Sequence, residues 1–247
     1  MNQHDDLSIL DSEFESPLDA LPEPESAPVP DVEAMLALLT APEPQQRIIA
    51  ARAFCELQDA RAIPQLIRLL NDVCPLVRVS AAYGLGRNPS PTAVLPLIAQ
   101  YEQDWNGYVR KGLVWAMGNC RDRRTLPVLT RALQHDIAAV RLWAASGLAQ
   151  LAHLEYEDII VAIPPLIASL RQDAIAAVRS NCAWSLGRLC RELPSNVVYA
   201  TAIDALLETL VEDADLGVTE DAKAALLSVG DPRGLQAIEE LELEGLV

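Results

Sequence analysis

The sequence predicts an all-α fold, a right-handed α-solenoid of about five to six helical hairpins behind a disordered N-terminal tail. Three observations predict it. An arginine followed by small residues recurs, with steps of 31, 32, 31 and 38 residues from one arginine to the next. An apolar run containing proline precedes most of these arginines, and an aspartate lies between the two. Periods of about 30 to 45 residues are typical of stacked hairpins that expose one long surface.

The recurring unit is complete four times and incomplete at both ends. The complete units centre on Arg78, Arg110, Arg141 and Arg179. Arg47 opens the series without an aspartate in the turn before it, and Thr219 closes it where an arginine would be expected. Terminal repeats commonly depart from the pattern because they have only one neighbour.

The first helix of each hairpin is predicted from its proline. The prolines are Pro64, Pro96, Pro127 and Pro164, which lie 14 or 15 residues before the next arginine. Proline suits the first turn of a helix, where its missing N–H loses no partner. We therefore expect the first helices to begin at these residues.

The second helix of each hairpin is predicted to begin near the arginine. Residues three, four and seven positions later are small or apolar, and this spacing places them on one buried face. Small residues there let neighbouring helices approach closely. We expect each helix to end at glycine or a polar cluster, such as residues 86–91.

An aspartate precedes each arginine by five or six residues, which places an acid in the turn between the two helices. The pairs are Asp72 with Arg78, Asp104 with Arg110, Asp136 with Arg141 and Asp173 with Arg179. The planar guanidinium can bind two acceptors at once. We therefore predict a structural ladder that runs from repeat to repeat, rather than a binding site.

Charge and composition divide the chain into three segments. Residues 1–30 hold eight acids, no Lys or Arg, and several prolines, which predicts a disordered tail. This tail either solubilises the protein or contacts a basic surface. Residues 31–233 form the predicted solenoid, and residues 234–247 an acidic C-terminal helix or tail. The net charge of −16 argues against nucleic acid as a partner, because phosphates would be repelled.

Hydropathy and cysteine usage predict a cytoplasmic protein. No apolar run approaches the roughly 20 residues of a membrane span, and the acidic N-terminus lacks the apolar segment of a signal peptide. Five cysteines, an odd number without close pairs, predict reduced thiols. No metal site is expected, because the cysteines lack metal-ligand spacing, and Cys74 and Cys120 are only weak candidates.

The candidate binding surface follows the second helices. Positions five and nine after each arginine lie on one helical face. The predicted groove comprises Tyr83, Arg87, Lys111, Trp115, Asn119, Ser146, Gln150, Trp184 and Arg188. Aromatic and arginine side chains are typical anchors of protein interfaces, so we expect a protein partner in this groove, on the concave side.

Three alternatives concern the aromatic residues. Trp115 and Trp184 would instead pack between neighbouring repeats, with their polar edge at the surface. Trp143 lies two residues after its arginine, off the predicted line, which predicts a packing or convex position. Trp105 and Tyr108 fall in a turn between helices, where exposed rings would mark a second contact point.

The repeat segments carry a family resemblance. They read VRVSAAYGLG, VRKGLVWAMGNCRDRRTLPVL, VRLWAASGLAQL and VRSNCAWSLGRL. This pattern, over about residues 31–233, resembles HEAT repeats. More narrowly, it is similar to the HEAT-like repeats of cyanobacterial phycobilin lyase E/F-type proteins. Within that group it looks most similar to the HEAT-repeat partner of an A-type iron–sulfur carrier protein.

The resemblance implies two functions. The first is a non-catalytic interaction module, without a cofactor of its own, whose partner is an A-type carrier holding an iron–sulfur cluster. The alternative is a lyase subunit that attaches, removes or isomerises a linear tetrapyrrole bilin on phycobiliprotein cysteines. In that case Arg87, Lys111 and Arg188 would hold propionates, and the rings of the groove would pack on the bilin. The predicted groove contains no acid that could protonate pyrrole nitrogens, which favours the interaction module.

Overall fold

Helical hairpins make up the part of the chain that the structure describes. The structure is a computed structural model that describes residues 30–153 and 155–244. Those residues form thirteen α-helices and no strand, which confirms the predicted all-α solenoid. The tail predicted to be disordered comprises residues 1–30, and residues 1–29 of it lie outside the described residues.

Six hairpins follow one another, and a single helix comes after them. The first helices are α1 (Val32–Leu38), α3 (Ile63–Leu69), α5 (Pro91–Gln103), α7 (Leu126–His135), α9 (Tyr156–Gln172) and α11 (Val197–Glu212). The second helices are α2 (Pro44–Ala53), α4 (Pro75–Arg87), α6 (Gly107–Cys120), α8 (Ala138–Ala149), α10 (Ala176–Cys190) and α12 (Leu216–Val229). Helix α13 (Pro232–Leu243) comes last. Among the described helices, none combines the length and hydropathy needed to cross a bilayer.

Two of the four prolines mark a helix start as predicted, and two do not. Pro64 and Pro127 lie in the first turns of α3 and α7. Pro96 and Pro164 lie inside α5 and α9, so the prediction that helices begin there is wrong.

Burial explains how α5 continues through its internal proline. The helix begins earlier because Ser90 accepts a hydrogen bond from the backbone N–H of Thr92. An interior proline costs about 3 kcal/mol. Val94 and Leu97 are fully buried, and each buried side chain of this size contributes about 1.5–3 kcal/mol. Their burial together offsets the cost of Pro96.

The second helices stack directly on one another, from α2 through α12, and pack more closely than the first helices do. Small residues permit this approach. A Cβ added at Gly118 would lie 2.7 Å from the Cα of Gly147, and one at Gly187 would lie 2.8 Å from the Cβ of Ala225. We call one side of α4, α6, α8 and α10 the second-helix face, namely the side that carries Tyr83, Lys111, Trp115, Ser146 and Trp184.

Candidate functional site

The arginines and aspartates of the predicted ladder pair between consecutive repeats. The pairs are Arg47–Asp72 (2.8 Å), Arg78–Asp104 (2.7 Å), Arg110–Asp136 (2.7 Å), Arg141–Asp173 (2.6 Å) and Arg179–Asp213 (2.7 Å). In the four complete units, the arginine Nη1 also donates to the main-chain carbonyl of the aspartate in its own repeat. Each of these guanidiniums therefore ties two repeats together.

The ladder carboxylates are held in their charged form. Burial alone would raise the pKa of Asp104, but hydrogen bonds from Arg78, the backbone N–H of Asn106 and Gln100 lower it below the ordinary value. The same opposing effects act on Asp136, whose pKa is also lowered, and Arg110 and Tyr101 are among its hydrogen-bond donors. These groups already have partners within the protein, so the geometry is that of a structural element.

The predicted groove residues lie along the second-helix face, with one exception at a helix end. Tyr83 and Arg87 lie on α4, and Lys111, Trp115 and Asn119 lie on α6. Ser146 lies on α8, and Trp184 and Arg188 lie on α10. Gln150 follows α8 and opens a short 3₁₀ turn, Gln150–His153.

Trp115 packs between two repeats and also borders an open cleft. Its ring meets that of Tyr83 edge to face, with the centroids 5.3 Å apart. The ring lies over Gly86, where a Cβ would come within 2.4 Å of it. Much of the Trp115 ring therefore packs between neighbouring repeats, as the alternative prediction had it. The cleft beside it, about 860 Å³, is also lined by Arg87 and Arg121.

Two further indole rings on this face each have a cation beside them. Lys111 Nζ lies 5.9 Å from the ring centroid of Trp143, and Arg188 Cζ lies 5.8 Å from that of Trp184. Trp184 is 44% exposed, so packing between repeats does not account for it. Such contacts stabilise the cation by about 0.5–1 kcal/mol at exposed sites.

Trp143 occupies the packing position that was predicted from the sequence as one of two alternatives, because its partly buried side chain packs against the core. It also borders a cleft of the second-helix face together with Ser146 and Trp184, although it lies off the predicted line. At roughly 100° per residue, positions two, five and nine after the arginine point within about 60° of each other. Position two therefore belongs to the same face.

The same cleft contains a carboxyl group that the sequence reasoning missed. Its lining is Leu142, Trp143, Ser146, Ala177, Ser180, Asn181, Trp184 and Asp221. Burial, and secondarily the charge of Glu220, raises the pKa of Asp221 above its ordinary value. The nine predicted groove residues include no acid, but Asp221 supplies one from a position outside the predicted line. Asp221 lies two residues after Thr219, at the position equivalent to Trp143, which the sequence prediction placed outside the groove.

The cysteines do not form a metal centre in the described residues, where no three His, Cys, Asp or Glu side chains are grouped suitably. Cys74 precedes α4 and Cys120 ends α6, and both are half-buried. Burial raises the pKa of Cys120 to about 11 and that of Cys190 to about 12. These thiols are therefore protonated and weak as nucleophiles or ligands at neutral pH.

A second exposed surface lies at the turns between first and second helices and in the first turns of the second helices, where Tyr108 belongs to α6 rather than to the predicted turn. Trp105 and Tyr108 are 78% and 77% exposed. Large apolar side chains recur at the corresponding turns of five consecutive hairpins. This apolar edge comprises Val73, Leu76, Trp105, Tyr108, Ile137, Ile175 and Leu216. Contiguous exposed apolar residues commonly mark a protein contact.

Stacked hairpins tied by an arginine–aspartate ladder define a helical-repeat protein. Residues 32–99 and 94–187 match the family of HEAT repeats. The matched residues make up more than half of the chain, so it belongs to the HEAT-repeat family.

Two relatives refine this assignment. The chain is 37% identical over 123 residues to the bilin biosynthesis protein RpcF of Synechococcus sp. (strain WH8020). That match covers 49% of this chain and 56% of RpcF, so the chain spans little more than half of that relative. A chain in the complex of CpcE and CpcF of phycocyanin lyase from Nostoc sp. PCC7120 aligns with a TM-score of 0.54 and 28% identity. The alignment covers 68% of this chain and 99% of that one.

Other helical-repeat structures share the fold alone. A designed armadillo repeat protein in complex with the peptide (KR)4 aligns with a TM-score of 0.62 at 20% identity, over 81% of this chain and all of that one. Taken together, the matches favour the lyase-type interpretation. The iron–sulfur carrier stays a prediction that they do not support.

Proposed function

We propose that this chain is a subunit of a bilin lyase that holds a linear tetrapyrrole on its second-helix face. There it would serve the attachment, removal or isomerisation of the bilin on a phycobiliprotein cysteine. One observation carries the proposal. Two indole–cation pairs and a carboxyl group occupy neighbouring positions on this face, in a chain similar to RpcF and to the CpcE–CpcF complex.

The side chains suit the chemistry of a bilin. A linear tetrapyrrole is an extended π-system with two propionate groups. Indole rings such as those of Trp143 and Trp184 present flat apolar faces on which such a system packs. Lys111 and Arg188 lie beside these rings, where they can pair with the propionates. Arginine is well suited because its planar fork matches a carboxylate.

Four of the five thiols of this chain favour a non-covalent complex. A thioether bond forms from the thiolate, which a raised pKa makes scarce. Burial raises the pKa of Cys55, Cys120, Cys182 and Cys190 above the ordinary value. The chain would therefore carry the bilin, and the acceptor cysteine would belong to the phycobiliprotein.

A protein partner is part of the same proposal. HEAT-repeat folds bind other proteins along their repeats. The similar phycocyanin lyase chain comes from a structure of the complex of CpcE and CpcF. The apolar edge offers a surface for such a contact. Trp105 and Tyr108 are its large rings, the residue type most often found as interface anchors.

Absorption spectroscopy with phycocyanobilin tests the proposal. We expect saturable binding and a changed visible spectrum with the unmodified chain. The double variant Trp184→Ala, Arg188→Ala should weaken binding at least tenfold, because losing an anchor of this kind costs about 2 kcal/mol or more. On a denaturing gel the pigment should separate from the chain.

The matched control is Trp105→Ala, which removes an indole from the apolar edge. It should bind phycocyanobilin like the unmodified chain. The proposal fails if the unmodified chain does not bind the pigment, or if Trp105→Ala and the double variant lose affinity equally. Circular dichroism of each variant shows that the helices are retained.

A further inference from the structure

Resting on the proposed function, we propose that Asp221 exchanges a proton with the pyrrole nitrogens of the bound bilin and then stays beside it as the counter-ion. The second-helix face would thus hold the pigment in its protonated form. This assigns a chemical role to a side chain that comes from the last hairpin, beyond the complete repeats.

The position of Asp221 supports this role. It is the acid of the cleft that Trp143 and Trp184 border, so a flat ligand on those indoles would lie beside its carboxyl group. Ser180, on the neighbouring helix α10, donates a hydrogen bond to its Oδ2 atom. This contact fixes the carboxyl group of Asp221 against α10, at the border of the cleft.

Burial is the main reason why the pKa of Asp221 is raised. Of the residues that line the cleft, it is the only titratable one, since α8 and α10 contribute indole, hydroxyl, amide and aliphatic groups. Glu220 precedes it on α12 and raises its pKa further. Lys223, also on α12, pairs with Glu242 of α13 at 2.9 Å. Helix α11 contributes no residue to the cleft.

The proton balance is simple. One proton passes from the carboxyl oxygen of Asp221 to an unprotonated pyrrole-type nitrogen, which leaves a carboxylate next to a cationic pigment. The reverse transfer restores both neutral groups when the pigment leaves. A carboxyl group that keeps its proton to higher pH than an ordinary aspartate is suited to this exchange, because the two groups then compete for the proton more evenly.

The test compares two neighbouring acids with phycocyanobilin as the probe. Asp221→Asn removes the exchangeable proton with little change of shape, and Glu220→Gln removes a charge one residue away. Protonated bilins absorb at longer wavelength than neutral ones. With the unmodified chain and with Glu220→Gln, we expect the long-wavelength band to persist to higher pH than for free pigment. With Asp221→Asn, the midpoint of this transition should fall by about one pH unit or more.

Retained binding and rescue make the result specific. Asp221→Asn should still bind the pigment, since the indoles and cations are intact, and Asp221→Glu should restore the long-wavelength band. An unchanged pH midpoint in Asp221→Asn, or an equal fall in Glu220→Gln, would overturn this inference alone. Failure of the unmodified chain to bind phycocyanobilin would overturn both this inference and the proposed function.

Discussion

Arg78 and Asp104 form a two-point ion pair between consecutive repeats. Arg78 Nε donates to Oδ2 at 2.7 Å, and Nη2 donates to Oδ1 at 2.9 Å. The Asp104 side chain has no exposed surface and that of Arg78 is 8% exposed, whereas Arg110 and Arg141 are each 20% exposed. The ladder is therefore driest at this pair, where loss of one partner should matter most.

Arg78→Ala should destabilise the protein more than Arg110→Ala does. Removing one partner of a buried pair costs about 3–5 kcal/mol, because the other charge stays buried. The lower end applies here, since Gln100 and a backbone N–H still donate to Asp104. Water can reach the partner of Arg110 more easily, which predicts a smaller loss. Urea denaturation of both variants measures the difference, and equal or reversed losses would contradict it.

The ladder should also make the free energy of unfolding depend on pH in the acidic range. Hydrogen bonds from arginines and backbone N–H groups outweigh burial and hold the pKa of Asp104, Asp136 and Asp173 below the ordinary value. Above the unfolded value of about 3.9, both states are ionised and the stabilisation is complete. As the pH falls below about 4, the unfolded state takes up protons first. Stability is then lost as the pH approaches the folded pKa values.

The matched variant for this pH dependence is Arg141→Gln. It removes the strongest donor to Asp173, so that carboxyl group should titrate closer to its unfolded value. Urea midpoints measured between pH 7 and pH 3 should fall less steeply in the variant than in the unmodified chain. Identical slopes would show that the ladder does not cause the acid sensitivity.

Gly86→Ala should disturb the packing of the Trp115 ring against α4. The added Cβ would lie 2.4 Å from the indole carbon Cζ3, so the ring must move. Overpacking of this kind costs about 1–3 kcal/mol. In a double-mutant cycle with Trp115→Leu, thermal unfolding should show that the two losses are less than additive, because the smaller side chain removes the clash. Strictly additive losses would contradict the contact.

The sequence predicts the scaffold better than the site, for physical reasons. The arginine–aspartate spacing repeats with the hairpins, so it predicted a ladder between repeats, but it did not predict that Arg110 pairs with Asp136 of the next repeat. The start of α5 was misjudged because burial of apolar residues outweighs the cost of Pro96. Asp221 was missed because the second position after the arginine, or after Thr219 in the last repeat, was not counted as part of the binding face. Its acidity also depends on neighbours from other helices, which one sequence does not reveal.

The central claim is that a bilin lies on the second-helix face, and the four tryptophans of the chain test it directly. Indole N–H signals in a ¹H–¹⁵N correlation spectrum, assigned by single Trp→Phe variants, would be followed during titration with phycocyanobilin. We expect the signals of Trp143 and Trp184 to shift most, that of Trp115 to shift as well, and that of Trp105 to stay unchanged. A shift confined to Trp105, or no saturable shift of any signal, would contradict the claim.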